Sequence, residues 1–289
     1  MKALTLEAEW APKDATLRGD APHIVPMACN AWRDPKLIMS SQPDPEPSSH
    51  QVVIDVHACG ICGSDTHCVE TDDEGYVIFS GPAAFPCTLG HEFAGTVIEV
   101  GASVTRVEVG DLVTAEGMLY CGHCAACERG HVNQCENLRM MGFSHPGAFS
   151  ERVVLDEKHC WSINGLADRL GSAQAACEIA SLVEPLGCSQ NGMFVVGPGV
   201  HTNSHVAVFG CGPIGLGAIA LARAAGAASI TAFDKTAGRL SLAKSMGADH
   251  VYDVTSLLPE DAAEAIRQAS NGWGADMIVE AAGAAHHTM

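Results

Sequence analysis

Val206-Ala207-Val208-Phe209-Gly210-Cys211-Gly212-Pro213-Ile214-Gly215 places an apolar run directly ahead of three glycines spaced G-x-G-x-x-G. Residues 206–209 suit a strand. The chain then stays uncharged to Ala222. That run is marginal as a membrane span, and Gly210, Gly212, Pro213, Gly215 and Gly217 interrupt it. Strand, glycine turn and helix fit it better. Three glycines at a strand-to-helix turn are the fingerprint of a dinucleotide-binding unit. Gly210 makes the tight turn, and Gly212 lets a pyrophosphate approach the backbone at the helix N-terminus. Pro213 and Ile214 open the helix, and Gly215 allows it to pack closely on the strand. Asp234 ends the next apolar run, nineteen residues beyond Gly215. There it would accept hydrogen bonds from the adenosine ribose and repel a 2′-phosphate, which favours NAD over NADP. The adjacent Lys235 weakens that preference slightly. Arg239 either lines the adenine end or stands solvated on the following helix.

Working outward, strands and helices alternate to the end of the chain. Strands are expected at 206–209, 229–233, 250–252 and 277–280, and helices at 214–225, 237–246 and 260–269. This spacing means βαβ units and a parallel sheet. Further helical segments are expected at 173–180 and 189–196, on either side of Glu184-Pro185. Before residue 170 the pattern differs. Short β-rich runs at 4–6, 37–39, 51–58, 95–101, 110–114 and 149–155 are broken by glycine turns, which suggests a barrel-like domain. Residues 10–35, with four prolines, read as a surface excursion, and 41–49 as a Pro-rich loop. The expected architecture is α/β: a β-barrel domain over 1–170, then a doubly wound parallel sheet over 171–289. Most of the second mononucleotide half of that sheet is absent, so the chain is expected to be a fragment.

Composition sets the limits. Of 289 residues 47% are apolar, enough for a large core and against global disorder. Sixteen basic against thirty-four acidic residues give a net charge of −18, which repels nucleic acid and anionic membranes; no Lys/Arg run overrides it. The N-terminus turns acidic at Glu7, too early for a secretory signal, so a cytoplasmic location with reduced thiols is the expectation. Thirteen cysteines then point to metal before disulfides. Cys121-x2-Cys124-x2-Cys127-x7-Cys135 supplies four soft ligands within fifteen residues, sufficient to close a tetrahedral zinc site of structural type. An iron–sulfur cluster and chance clustering are the alternatives.

Cys62, His91 and Glu184 each follow or precede a strand or helix signal and are weak singly. Together they offer a thiolate, an imidazole and a carboxylate, the donor types of an open zinc site. The segments Gly60-Ile61-Cys62-Gly63-Ser64-Asp65-Thr66-His67 and Thr88-Leu89-Gly90-His91-Glu92-Phe93-Ala94-Gly95 carry more. With the cysteine loop, Ser181-Leu182-Val183-Glu184-Pro185 and Phe209–Gly215, the chain resembles the zinc-dependent medium-chain dehydrogenase/reductase family. The Glu184-Pro185 pair resembles its polyol (sorbitol-type) and threonine dehydrogenase branch. Thr71–Tyr76, Gly142-Phe143 and Gly147-Ala148-Phe149 are similar to cyclitol oxidoreductases.

The resemblance implies a GroES-like catalytic domain, a Rossmann domain, two Zn2+ per chain and NAD. It implies that Cys62 and His91 bind the catalytic zinc, with Glu92 and Glu184 as acidic candidates that bind directly, through water or by exchange. Asp65 would orient a ligand. Ser64 would take the proton of the substrate hydroxyl, and His67 would pass it through the cofactor ribose to solvent. The implied activity is oxidation of a secondary alcohol of a polyol or cyclitol by a homodimer or homotetramer at full length. A threonine-type amino-alcohol dehydrogenase and a non-catalytic nucleotide-binding protein are the alternatives.

Overall fold

The structure, a computed structural model, describes residues 1–13 and 24–283. Residues 14–23 of the expected surface excursion lie outside the described residues. By its internal contacts the chain divides into two compact units, Met1–Glu184 and Pro185–Met289.

In the first unit β1 (Lys2–Trp10) pairs antiparallel with β2 (Trp32–Ser41). β3 (Gln51–Gly60) leads into the short helix α1 (Gly63–Val69). β4 (Cys87–Thr88) joins the free side of β1 and precedes β5 (Glu92–Val100) and β6 (Leu112–Ala115). A lobe built from β7 (Met118–Leu119), α2 (Ala125–Glu128) and β8 (Arg139–Met140) comes next. The chain returns through β9 (Arg152–Asp156) and β10 (Cys160–Ser162), then forms α3 (Asn164–Leu170) and α4 (Ala173–Ala180).

The main sheet is antiparallel in the order β10-β6-β5-β3-β9. Val52, Ile54, Phe93, Val97, Val153 and Leu155 fill its core. α4 starts at Ser172, whose hydroxyl accepts the Ala175 N–H at 3.2 Å, an N-cap that satisfies an otherwise unpaired donor. Its Cys177 and Ala180 pack on Ala94 and Leu112 of this sheet.

The β3–β5 register determines which residues meet at the end of β3. Register shifts at Val53/Ile54 and Val56/Ala58 mark bulges, which bend a strand and re-aim its end. Beyond them Cys59 lies opposite Phe93 and Gly60 opposite Glu92. Cys62, two residues past β3, is thereby brought beside His91, one residue before β5.

α5 (Val183–Gln190) crosses the division between the units and runs into a π-helical turn, Asn191–Val196. Glu184-Pro185 therefore does not separate two helices; it lies in the first turn of one. A proline there has no intrahelical N–H to lose. The second unit continues with β11 (His205–Phe209), α6 (Pro213–Ala224), β12 (Ser229–Asp234), α7 (Ala237–Ser245), β13 (His250–Asp253), α8 (Pro259–Ala269) and β14 (Met277–Glu280). All four strands are parallel in the order β13-β12-β11-β14. Numbered within the unit this is 3-2-1-4, the first four strands of a dinucleotide-binding sheet. Every residue of β12 is buried, as expected for a strand covered on both faces. Val206, Val208, Ile230 and Ala232 face α6 and α7 residues, while Ala207 and Phe233 face Ala265 of α8. No helix among the described residues is long and apolar enough to cross a membrane.

Candidate metal centres and nucleotide turn

Cys62, His91 and Glu92 each present a ligand atom, and the three atoms lie within 4.8 Å of one another. Cys62 stands at the N-terminus of α1, and its backbone N–H donates to Asp65 Oδ2 at 3.0 Å. The other oxygen of Asp65 accepts the Gly90 N–H at 3.3 Å. One buried carboxylate thus ties the Cys62 segment to the His91 segment. Asp65 Oδ1 is also 3.7 Å from His91 Nδ1, which is buried and makes no hydrogen bond. The opposite ring nitrogen is left for Cys62. Glu92 fits against Gly60, where a Cβ would overlap its carboxylate oxygen. A side chain there would displace the Glu92 carboxylate from its place in the cluster.

Electrostatics bind the group together. Burial alone would lower His91, but its hydrogen bond to Cys62 and the charges of Asp65, Cys62 and Glu184 raise it to about 9. Burial raises Asp65, against His91 and the N–H groups of Cys62 and Gly90. Burial also raises Glu92, with Glu184 and Asp65 adding to it and His91 and Cys62 opposing. Acids and a thiol crowded at one imidazole make a site that a divalent cation neutralises. Thiolate, imidazole and carboxylate are donors that zinc takes in open sites, so the residues fit that metal.

Glu184 acts electrostatically on both His91 and Glu92, but the donors that converge on Cys62 are those of His91 and Glu92. Ser64 is half-buried and His67 exposed on α1. Their i, i+3 spacing puts them on one helix face.

Cys121, Cys124, Cys127 and Cys135 also converge within 4.8 Å. The N–H groups of Cys121 and Asn137 both donate to Cys135 Sγ at 3.3 Å. The His123 backbone N–H above all, with that of Cys124, pulls the Cys121 thiol down to about 5. Burial first, then the neighbouring thiols, push Cys127 up to about 12. Amides alone thus do not ionise all four sulfurs; a closed tetrahedral zinc shell would.

In the second unit Gly210 has φ +91, and a Cβ on it would meet the Ala281–Ala282 backbone at 2.6 Å. A Cβ on Gly215 would overlap the Gly210 carbonyl. Gly212 differs, since it has φ −74 and no atom within 4 Å of its Cβ position. Nothing among the described residues requires glycine there, and a pyrophosphate against the backbone would. Pro213 and Ile214 begin α6, so the free N–H groups of its first turn surround that opening. Asp234 accepts the Cys211 N–H at 2.7 Å and the Thr236 N–H at 2.8 Å. Arg239 lies 3.9 Å from it and is half-exposed. This turn fits a dinucleotide.

Residues 48–165 match the alcohol dehydrogenase GroES-like domain, and residues 213–289 match the zinc-binding dehydrogenase family. The chain is 40% identical to scyllo-inosose 3-dehydrogenase of Thermotoga maritima, covering 98% of this chain and 73% of that one. It is 37% identical to L-threonine 3-dehydrogenase of Bacillus licheniformis, covering 83% of this chain and 64% of the relative. A Thermotoga maritima structure described as a candidate alcohol dehydrogenase superposes with TM-score 0.90 at 38% identity, covering 98% of this chain and 73% of that one. A candidate zinc-binding dehydrogenase of Sinorhizobium meliloti, solved with NADP, has TM-score 0.70 at 30% identity over 90% of this chain and 69% of its own. The chain belongs to the zinc-type medium-chain dehydrogenases, with a GroES-like domain followed by a Rossmann-type sheet.

Proposed function

We propose that this protein oxidises a secondary alcohol of a polyol or cyclitol, passing the hydride to NAD. The observation that carries the reading is the convergence of Cys62, His91 and Glu92 on one point, in a chain 40% identical to a scyllo-inosose dehydrogenase. When bound, zinc supplies a Lewis acid for the substrate hydroxyl and the nicotinamide supplies the hydride acceptor. Cys62, His91 and Glu92 hold the metal, with Glu184 as a further acid at the same site. Asp65 fixes the two ligand-bearing segments. Ser64 takes the hydroxyl proton and needs only a hydroxyl for this, since it relays a proton without keeping a charge. His67, one turn further along α1 and exposed, delivers the proton to solvent. Gly212 admits the pyrophosphate, and Asp234 accepts from the adenosine ribose. The four-cysteine loop holds a second, structural zinc.

The test is NADH formation from NAD with inositol derivatives, sorbitol and L-threonine as substrates. Turnover of a cyclitol or polyol is expected. Cys62→Ser should abolish it together with one of two zinc ions while NAD binding persists. Wild-type turnover by metal-depleted Cys62→Ser would overturn the reading. Preference for L-threonine would favour the second reading, an amino-alcohol dehydrogenase, which the 37% identity to the Bacillus licheniformis enzyme supports.

A further inference from the structure

The His91 imidazole packs against an aromatic ring. Metal-bound imidazoles are commonly oriented through their second nitrogen, which donates to a carbonyl or carboxylate. In this protein that nitrogen, Nδ1, is buried and makes no hydrogen bond; the nearest carboxylate oxygen, of Asp65, is 3.7 Å away. A separation of that size does not fix the rotation of a ring. A buried aromatic pair adds a second restraint. The Phe143 ring lies 5.2 Å from the His91 ring, centroid to centroid, at an interplanar angle of 43°. Phe79 stacks on Phe143 at 4.5 Å and 10°, and both phenyl rings are buried.

The segment that carries Phe143 also grips the backbone ahead of His91. The N–H groups of Gly147, Ala148 and Phe149 donate at 2.8 Å to the carbonyls of Thr88, Gly90 and Leu89. A Cβ on Gly147 would overlap the carbonyl oxygens of Leu89 and Gly90, so only glycine allows this approach. The Phe143 carbonyl is itself fixed, accepting the Ala84 N–H at 2.9 Å. Residues 142–149 therefore hold the His91 segment twice, through three amides on the backbone of residues 88–90 and through the tilted contact of one phenyl ring with the imidazole.

We infer that Phe143 is a positioning residue for the metal centre: its ring sets the rotation of the His91 imidazole, turning the nitrogen opposite Nδ1 toward Cys62 and Glu92. The inference rests on the reading of Cys62, His91 and Glu92 as a metal site. Without the phenyl ring, the imidazole keeps the Asp65 oxygen 3.7 Å from Nδ1 but loses the packed ring beside it, and it would take up a wider range of orientations.

The experiment uses the purified protein loaded with cobalt(II) or zinc, and chelator competition to rank the two sites. Wild type should bind two ions, one with the ligand-field bands of four thiolates and one with those of a mixed thiolate–imidazole–carboxylate centre. Phe143→Leu should weaken the mixed site by about tenfold, as loss of a supporting contact does elsewhere, and shift its bands. The four-thiolate bands should stay unchanged and report that the chain is folded. Val77→Ala opens the same apolar cluster without a ring contact to His91, and should leave both spectra as in wild type. Phe79→Leu, which keeps Phe143 but removes the ring stacked on it, should move the mixed-site bands in the same direction by less. That variant decides the matter if Phe143→Leu does not fold. Unchanged bands and affinity in Phe143→Leu would overturn the inference. So would Val77→Ala reproducing its effect, or an unchanged Phe79→Leu spectrum where Phe143→Leu cannot be obtained. A wild-type protein that binds only the four-thiolate ion would overturn the reading of the mixed site itself, and the inference with it.

Discussion

The carboxylate of Asp234 accepts the backbone N–H of Cys211 at 2.7 Å, tying the end of β12 to the glycine turn after β11. A second bond, from the Thr236 N–H at 2.8 Å, occupies its other oxygen. The residue that the fingerprint assigns to the ribose is therefore also a brace for the turn. Burial opposes its ionisation, but these N–H groups outweigh burial and hold the carboxyl below the usual range. A depressed folded pKa contributes stability above the unfolded value, about 3.9, and that contribution is lost as pH falls through the folded value. Asp234→Asn should lower stability at neutral pH by about 1.5–3 kcal/mol, the range for a hydrogen bond to a charged group. The deficit should shrink as pH falls below about 4. Urea midpoints of the two proteins at neutral and acid pH check this; a deficit independent of pH would contradict it.

Gly212→Ala separates folding from nucleotide binding. At φ −74 and with no atom of the described residues within 4 Å, the new methyl group is tolerated by the backbone and by its surroundings. Folding stability should change by less than about 1 kcal/mol, since the gain from a stiffer unfolded chain is set against a weaker N-cap. Dinucleotide affinity should fall by more than about tenfold, because the methyl group fills the space where the phosphates meet the helix N-terminus. Gly215→Ala should lose both properties, since its Cβ would overlap the Gly210 carbonyl. Calorimetric titration with NAD, beside thermal melts, gives the comparison.

What the sequence reveals depends on how local each feature is. The β11–α6 turn and the four-cysteine loop are contiguous, so spacing alone exposes them. The Cys62, His91 and Glu92 site appears in the sequence only as separate fragments, because a strand register and two bulges bring them together. Gly60 and Phe143 belong to motifs of the resemblance, but nothing in the sequence states what either residue touches. Their roles arise from contacts with Glu92 and His91, far along the chain. Helix α1 is also hard to read, since Gly, Ser, Asp, Thr, His, Cys and Val all favour helices weakly. It forms because Asp65 caps its first turn and Cys68 is buried. The Glu184-Pro185 pair suggests a break between helices, whereas a proline in a first turn begins one.

The two acidic candidates should differ. Glu92 converges with Cys62 and His91, while Glu184 acts on them electrostatically. Glu92→Gln should weaken zinc binding at the Cys62–His91 site by more than about tenfold, and Glu184→Gln by less. Chelator competition on the two purified variants measures the order. The reverse order would make Glu184 the direct ligand.

Cys124→Ser tests the other centre. The stretch from Cys121 to Cys135 holds only the four-residue α2 and a three-residue 3-10 turn, Val132–Gln134. With so little regular structure, a bound metal would be the main organiser of the loop, and structural zinc binding contributes directly to folding free energy. The variant should retain one zinc by elemental analysis, melt lower and give less soluble protein. Two zinc ions and an unchanged melting temperature would show that the loop is not a metal site.

The charge balance makes stability depend on ionic strength. Thirty-four acidic residues against sixteen basic leave a net charge of −18, and the basic groups are partly spent already, as Lys13 is between Asp72 and Glu74. The remaining acids repel one another across the folded surface, and self-repulsion of this kind destabilises a compact state. Salt shortens the reach of that repulsion, from a Debye length of about 30 Å at 0.01 M to about 3 Å at 1 M. Melting temperature should therefore rise with potassium chloride over that range and level off once screening is complete. Tetramethylammonium chloride should act alike, because screening does not depend on which monovalent cation supplies it. A flat response, or a rise with potassium alone, would mean that specific ion binding rather than net charge governs the effect.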